Sequence, residues 1–206
     1  MNRDPDMLQR YTAPERVNHW VVAICFILLA LSGLALFHPM FWPLTALFGG
    51  GVWARIIHPY IGLLMSLSFI GLYFRFHSLN LMTSADREWL KHTRDMLNGD
   101  EHKLPEQGKF NAGQKLVFKI AAILMVLLFI SGLIMWRSYY TLPVEMVRIG
   151  AVIHAASAAL MIALILIHIY AAIWVKGTFG AMGSGIVSRA WARQHHRAWY
   201  RDMTGK

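Results

Sequence analysis

Four stretches of this chain are apolar over lengths that few soluble helices need. They run roughly from 17 to 37, 53 to 76, 115 to 136 and 147 to 175. Each reaches the ~20 helical residues that cross a hydrocarbon core. Inside a bilayer the backbone must satisfy its own hydrogen bonds, so such runs can only be helices. The expected fold is therefore an all-α membrane protein, a four-transmembrane-helix bundle over a single domain 1–206, with a loop at 77–114 and a tail at 176–206. Composition agrees, at 56% hydrophobic and 15% charged. The first run has a signal peptide's position, but its length and the polar start Asn18-His19-Trp20 favour a retained helix. No internal repeat or low-complexity segment stands out. The inverted repeats and broken helices of a transporter are absent too.

Charge sets the expected orientation. Of the 20 Lys and Arg residues, seventeen fall in the N-terminal tail through Arg16, the segment from Arg75 to Lys119 around the middle loop, or the tail from Lys176 onward. Arg55, Arg137 and Arg148 alone fall on the other side. The positive-inside rule places both termini and the middle loop in the cytoplasm. The net charge of +9 then faces anionic lipid and cytoplasmic partners, and nucleic acid is not needed to explain it. In the middle loop Thr83 and Asp86 have capping-box spacing. Trp89, Leu90, Met96 and Leu97 would share one face of a short helix stopped by Asn98-Gly99. The tail from Ser188 to Met203 reads as an interfacial anchor, with a solvated helix as the rival reading.

Ionisable side chains in membrane spans are costly and usually functional. His19 opens the first run, His58 opens the second, and the last run carries His154 and His168. Fourteen residues of helix separate those two by about 21 Å and leave them within about 40° of one face. Helix direction sets His19 level with His168, and His58 level with His154. Neutral imidazole is an axial ligand of haem iron, so two cross-helix pairs at two depths read as two haem sites. Gly33 lies fourteen positions after His19, on the same face and at the other pair's depth, where a flat macrocycle needs a gap. The single Cys25 excludes an intrachain disulfide, and no C-x-x-C-H string is present, so haem would be non-covalent, b-type. Zinc would want about four ligands at one point. The remaining histidines, His38, His77, His92, His102, His195 and His196, read as solvated or at headgroups.

The strings Glu15-Arg16-Val17-Asn18-His19-Trp20, Arg55-Ile56-Ile57-His58-Pro59, Gly108-Lys109-Phe110-Asn111-Ala112-Gly113-Gln114-Lys115, Ile153-His154-Ala155-Ala156 and His168-Ile169-Tyr170 resemble the cytochrome b (gamma) subunit of bacterial membrane-bound formate dehydrogenases. The resemblance runs from about Glu15 to Met203. It implies two haem b, the outer held by His58 and His154 and the inner by His19 and His168. It implies a menaquinone or ubiquinone site using Asn111, Gly113 and Gln114. Those residues also suit a helix start whose amides could bond a quinone carbonyl. The resemblance further implies an iron–sulfur (beta) subunit, a molybdenum or tungsten catalytic (alpha) subunit, and residence in the bacterial cytoplasmic (inner) membrane; it leaves a higher oligomer open. Formate chemistry would lie outside this chain, which shows no dinucleotide motif, P-loop or acid–base pair. The cytochrome b subunit of a nickel–iron hydrogenase, or of another periplasmic oxidoreductase, is the nearest alternative, and a haem-free membrane anchor is a second.

Overall fold

The computed structural model describes residues 6–97, 104–136 and 141–205. Four of its helices are long and apolar enough to cross a membrane: α1 (Ala13–Phe37), α2 (Gly51–Phe76), α5 (Ala112–Met135) and α6 (Val144–Trp174). Two short helices, α3 (Ser84–Lys91) and α4 (Thr93–Leu97), lie between α2 and α5. Three more follow α6: α7 (Thr178–Ser184), α8 (Arg189–His195) and α9 (Arg197–Thr204). The one departure from an all-helical fold among the described residues is a pair of three-residue strands, β1 (Met7–Gln9) and β2 (Ile186–Ser188). Arg137, Tyr139, Tyr140, Asn98, Gly99 and His102 lie outside the described residues, as do the side chains of Met96 and Leu97.

Each long helix begins two to four residues before its apolar run. At α1 and α5 the added residues form a capped polar turn that hydropathy does not register. At α1 the Thr12 N–H donates to Glu15 Oε2 at 2.6 Å, and at α6 the Val147 N–H donates to the Pro143 carbonyl. Proline is tolerated in a first turn because its missing N–H has no intrahelical partner there. Pro59 is different. It lies inside α2, directly after His58, and withholds one rung of the helical ladder.

Contacts divide the chain into two compact units. One comprises residues 17–73 and 121–167. Its buried centre draws on all four long helices: Cys25 from α1, Met65 from α2, Ala121, Leu124 and Met125 from α5, and Met161 from α6. Around it, large apolar side chains face outward, among them Leu67 (69% exposed) and Leu166 (63%). Exposure on that scale would be an aggregation hazard in water and is what lipid solvates.

The other unit comprises residues 6–16, the described part of 74–120, and 168–205. Here β1 pairs antiparallel with β2, in the register Met7↔Ser188, Leu8↔Val187 and Gln9↔Ile186. Gly185 makes this junction. Its carbonyl accepts the N–H groups of Arg10 and Tyr11, and at φ +86° a side-chain Cβ would stand 2.6 Å from the Tyr11 carbonyl oxygen. The expected capping box is present. Thr83 Oγ1 accepts the Asp86 N–H at 3.3 Å, and Asp86 Oδ2 accepts the Thr83 N–H at 2.7 Å.

The C-terminal tail departs from the solvated-helix reading of it. It packs on its own chain, which a solvated helix would not do. Trp199 and His196 are buried, and the backbone N–H groups of Ala198 and Trp199 donate to the Gln107 carbonyl. The fully buried Arg10 holds this packing together. Its Nη2 donates to the Lys109 carbonyl at 2.7 Å and to His196 Nε2 at 3.0 Å, and its guanidinium lies over the rings of Trp191, Trp199 and Tyr11. Three aromatic faces help to compensate a desolvated cation for which the described residues supply no ion pair.

Candidate functional site

The unit built from the long helices brings His58 and His154 together. Their ring centres are 6.3 Å apart, and both residues are half-buried. Metal–nitrogen bonds of about 2 Å on either side of one iron, with about 1.2 Å from each nitrogen to its ring centre, give about 6.4 Å. The observed spacing leaves room for one metal centre between the two imidazoles, which would be its ligands. Among the described residues no cluster of three or more His, Cys, Asp or Glu side chains is placed to hold a metal ion.

The surroundings of the two rings match. Ser32 Oγ lies 2.7 Å from His58 Nδ1, and Ser131 Oγ lies 3.0 Å from His154 Nδ1. A Cβ on Gly33 would touch His58 Cε1 at 3.4 Å, and one on Gly132 would touch His154 Cε1 at 3.4 Å. Gly33 thus sits at the level of the outer pair, as its spacing from His19 requires. Sequence reasoning missed Ser32, Ser131 and Gly132. The signal was there as Ser32-Gly33-Leu34 and Ser131-Gly132-Leu133, a correspondence too short to register as a repeat.

His19 belongs to the same unit, near the start of α1, where its ring meets Trp20 edge-on at 5.5 Å. His168 lies on α6 in the other unit and is half-buried. The six remaining histidines divide. His38 Nδ1 accepts the Met40 N–H and caps a 3-10 segment, and His92 faces Glu88 and Asp95 at the surface. His196 is not solvated, contrary to expectation. At 2% exposure its Nε2 accepts from Arg10, so Nδ1 carries the proton and donates to the Gly108 carbonyl at 2.7 Å. Burial, and then the Arg10 charge, push its pKa down to about 3.

Asn111, Gly113 and Gln114 open α5. Asn111 Oδ1 accepts the Gln114 N–H at 2.9 Å, and Gln114 Oε1 accepts the Asn111 N–H at 3.0 Å. This reciprocal cap orients both amides, since each backbone donor needs an oxygen. It leaves each NH2 group, a donor, turned to other use. Gly113 packs beside Trp89 of α3, where a Cβ would make ordinary contact with the indole at 3.6 Å. Beside it Lys115 Nζ donates to Asp86 Oδ2 at 2.7 Å, with side chains only 8% and 3% exposed. Burial pushes the Asp86 pKa up, but hydrogen bonds from Lys115 and Thr83, with the Lys115 charge, outweigh it and hold the carboxyl below its usual range. The loop before this cap is fastened through its backbone. Gln107, Gly108 and Lys109 give their carbonyls to the tail and to Arg10, and Gln107 Oε1 accepts the Ala112 N–H.

Apolar helices of spanning length, with two imidazoles facing one another between them, define a helical membrane cytochrome b. Residues 10–185 match the prokaryotic cytochrome b561 family, and the chain belongs to it. It is 44% identical over 200 residues to the formate dehydrogenase cytochrome b556(fdo) subunit of Escherichia coli strain K12, covering 96% of this chain and 94% of that one. The nitrate-inducible formate dehydrogenase cytochrome b556(Fdn) subunit of the same strain is 40% identical over 199 residues, covering 96% and 92%. The formate dehydrogenase cytochrome b556 subunit of Haemophilus influenzae is 39% identical over 195 residues, covering 94% and 82%.

Proposed function

We propose that this chain is the di-haem cytochrome b subunit of a formate dehydrogenase. His58 and His154 hold one haem b, and His19 and His168 hold the second. When bound, the haems supply one-electron carriers that link an iron–sulfur subunit on the outer face to menaquinone or ubiquinone near the cytoplasmic side. His58 and His154 are supported by their 6.3 Å ring separation, the observation that carries this reading. The second pair is supported by helix arithmetic. His168 lies fourteen residues beyond His154 on the continuous α6, about 21 Å along its axis. The names of the relatives support the formate dehydrogenase complex, with a molybdenum or tungsten catalytic subunit as a further partner.

Asn111 and Gln114 orient quinone through their NH2 donors, and protons reach it from the cytoplasm. The lysine- and arginine-rich termini and middle loop face that side, in the bacterial inner membrane. An electron moving inward works against a resting potential at about 2.3 kcal/mol per 100 mV. The redox drop from formate to quinone must exceed this, and the transfer then stores energy.

The test is haem stoichiometry on the purified complex. His58→Ala and His154→Ala remove one haem, and His19→Ala and His168→Ala remove the other, so haem per chain falls by about half in each variant. Four variants that all retain the full haem content would refute the assignment.

A further inference from the structure

We propose that Ser32 and Ser131 are a matched pair of positioning residues, which fix the tautomer of His58 and His154 and present Nε2 of each ring to one iron. The inference rests on reading those histidines as ligands, and it goes beyond that reading to the groups that hold them.

A serine hydroxyl has one proton. Ser32 Oγ lies 2.7 Å from the Leu28 carbonyl, one turn back on α1, and Ser131 Oγ lies 2.6 Å from the Leu127 carbonyl on α5. A carbonyl only accepts, so each hydroxyl donates to its own helix. Towards the imidazole it can offer nothing but a lone pair. His58 Nδ1 at 2.7 Å and His154 Nδ1 at 3.0 Å must therefore be the protonated nitrogens. In a neutral imidazole a proton on Nδ1 leaves Nε2 with the free lone pair that a metal requires. Both serines are fully buried, at 0% and 2% exposure, so no water competes for the contact.

The device is used twice. In each case an antiparallel neighbour supplies Ser-Gly-Leu, with the serine at Nδ1 and the glycine against Cε1. The ligand follows the serine by 26 residues in one hairpin and by 23 in the other. Ser66 provides an internal contrast. It lies in the same unit and donates to the Gly62 carbonyl in the same way, but no histidine among the described residues bonds its hydroxyl.

The experiment is a redox titration of the haem absorption bands, with low-spin EPR, on the holo-complex carrying Ser32→Ala, Ser131→Ala, Ser32→Thr, Ser131→Thr or Ser66→Ala. Losing the acceptor makes the imidazole a poorer electron donor to ferric iron. Both alanine variants should raise the midpoint potential of the same haem and leave the other unchanged, and haem affinity at that site should fall roughly 10–100-fold. The threonine variants keep a hydroxyl and should restore wild-type behaviour, and Ser66→Ala should change nothing. If an alanine variant does not assemble, Ser32→Cys or Ser131→Cys, whose thiol is a weak acceptor, should give an intermediate shift. Unchanged potentials with full haem in both alanine variants would overturn the inference, as would an equal shift in Ser66→Ala. Counting haem in His58→Ala and His154→Ala separates the two failures. If those variants keep both haems, the ligand assignment fails; if they lose one and the serine variants are silent, only the role of the serines fails.

Discussion

The Asp86–Lys115 pair gives the sharpest test of how the start of α5 is held. Its side chains are 3% and 8% exposed and meet at 2.7 Å. Asp86→Asn keeps the shape and leaves an amide oxygen for the Thr83 cap, but it strands the Lys115 ammonium in a desolvated site. Breaking a buried pair from one side costs about 3–5 kcal/mol, whereas replacing both partners by apolar groups of similar volume is often neutral or better. Asp86→Asn should therefore lower unfolding stability by about 3 kcal/mol or more, and Asp86→Asn combined with Lys115→Met should return to within about 1 kcal/mol of wild type. Urea titration in detergent gives the totals. Hydrogen exchange across α3 and the first turns of α5 shows whether the loss is local. Because the Asp86 pKa is held low in the folded state, the stabilisation is complete above the unfolded value near 4 and disappears only as pH falls below it. A single variant costing less than about 1 kcal/mol, or a double variant as damaged as its singles combined, would refute the reasoning.

Two further outcomes follow from the same unit. His196 is held neutral, with a pKa of about 3, so the unfolded chain binds the extra proton between that value and about 6.5. Stability should fall by about 1 kcal/mol between pH 7 and pH 5.5, a slope that His196→Phe removes, as paired urea titrations can show. Asn111→Ala or Gln114→Ala should remove about 1 kcal/mol of helix capping and slow quinone reduction, measured with a quinone analogue, while the haem spectrum stays intact. Loss of haem in either variant would assign it a structural role instead.

What was legible in the sequence is what local pattern encodes. The four spans follow from length and hydropathy alone, and the Thr83–Asp86 box from a spacing of three. His58 and His154 could be paired because α6 is a continuous helix, whose rise fixes depth. The misses all involve partners distant in sequence. Met7-Leu8-Gln9 is too short to signal a strand and pairs with residues almost a whole chain away. His196 sits in an Arg-rich tail that looks solvated, and only Arg10, Trp191 and Trp199 converging on it make it buried. Ser32 and Ser131 resemble ordinary back-bonded serines of apolar helices until a facing histidine is seen.

The pairing of β1 with β2 has a consequence for biosynthesis. The first strand precedes all four spans along the chain, and its mate follows all of them. Bringing such remote ends together is entropically costly and slow unless the intervening helices are already in place. The small sheet therefore acts as a closing clasp. It engages only after β2 itself has been made, and a truncation before Ile186 should leave an open strand edge that proteases can read as a mark of incompleteness.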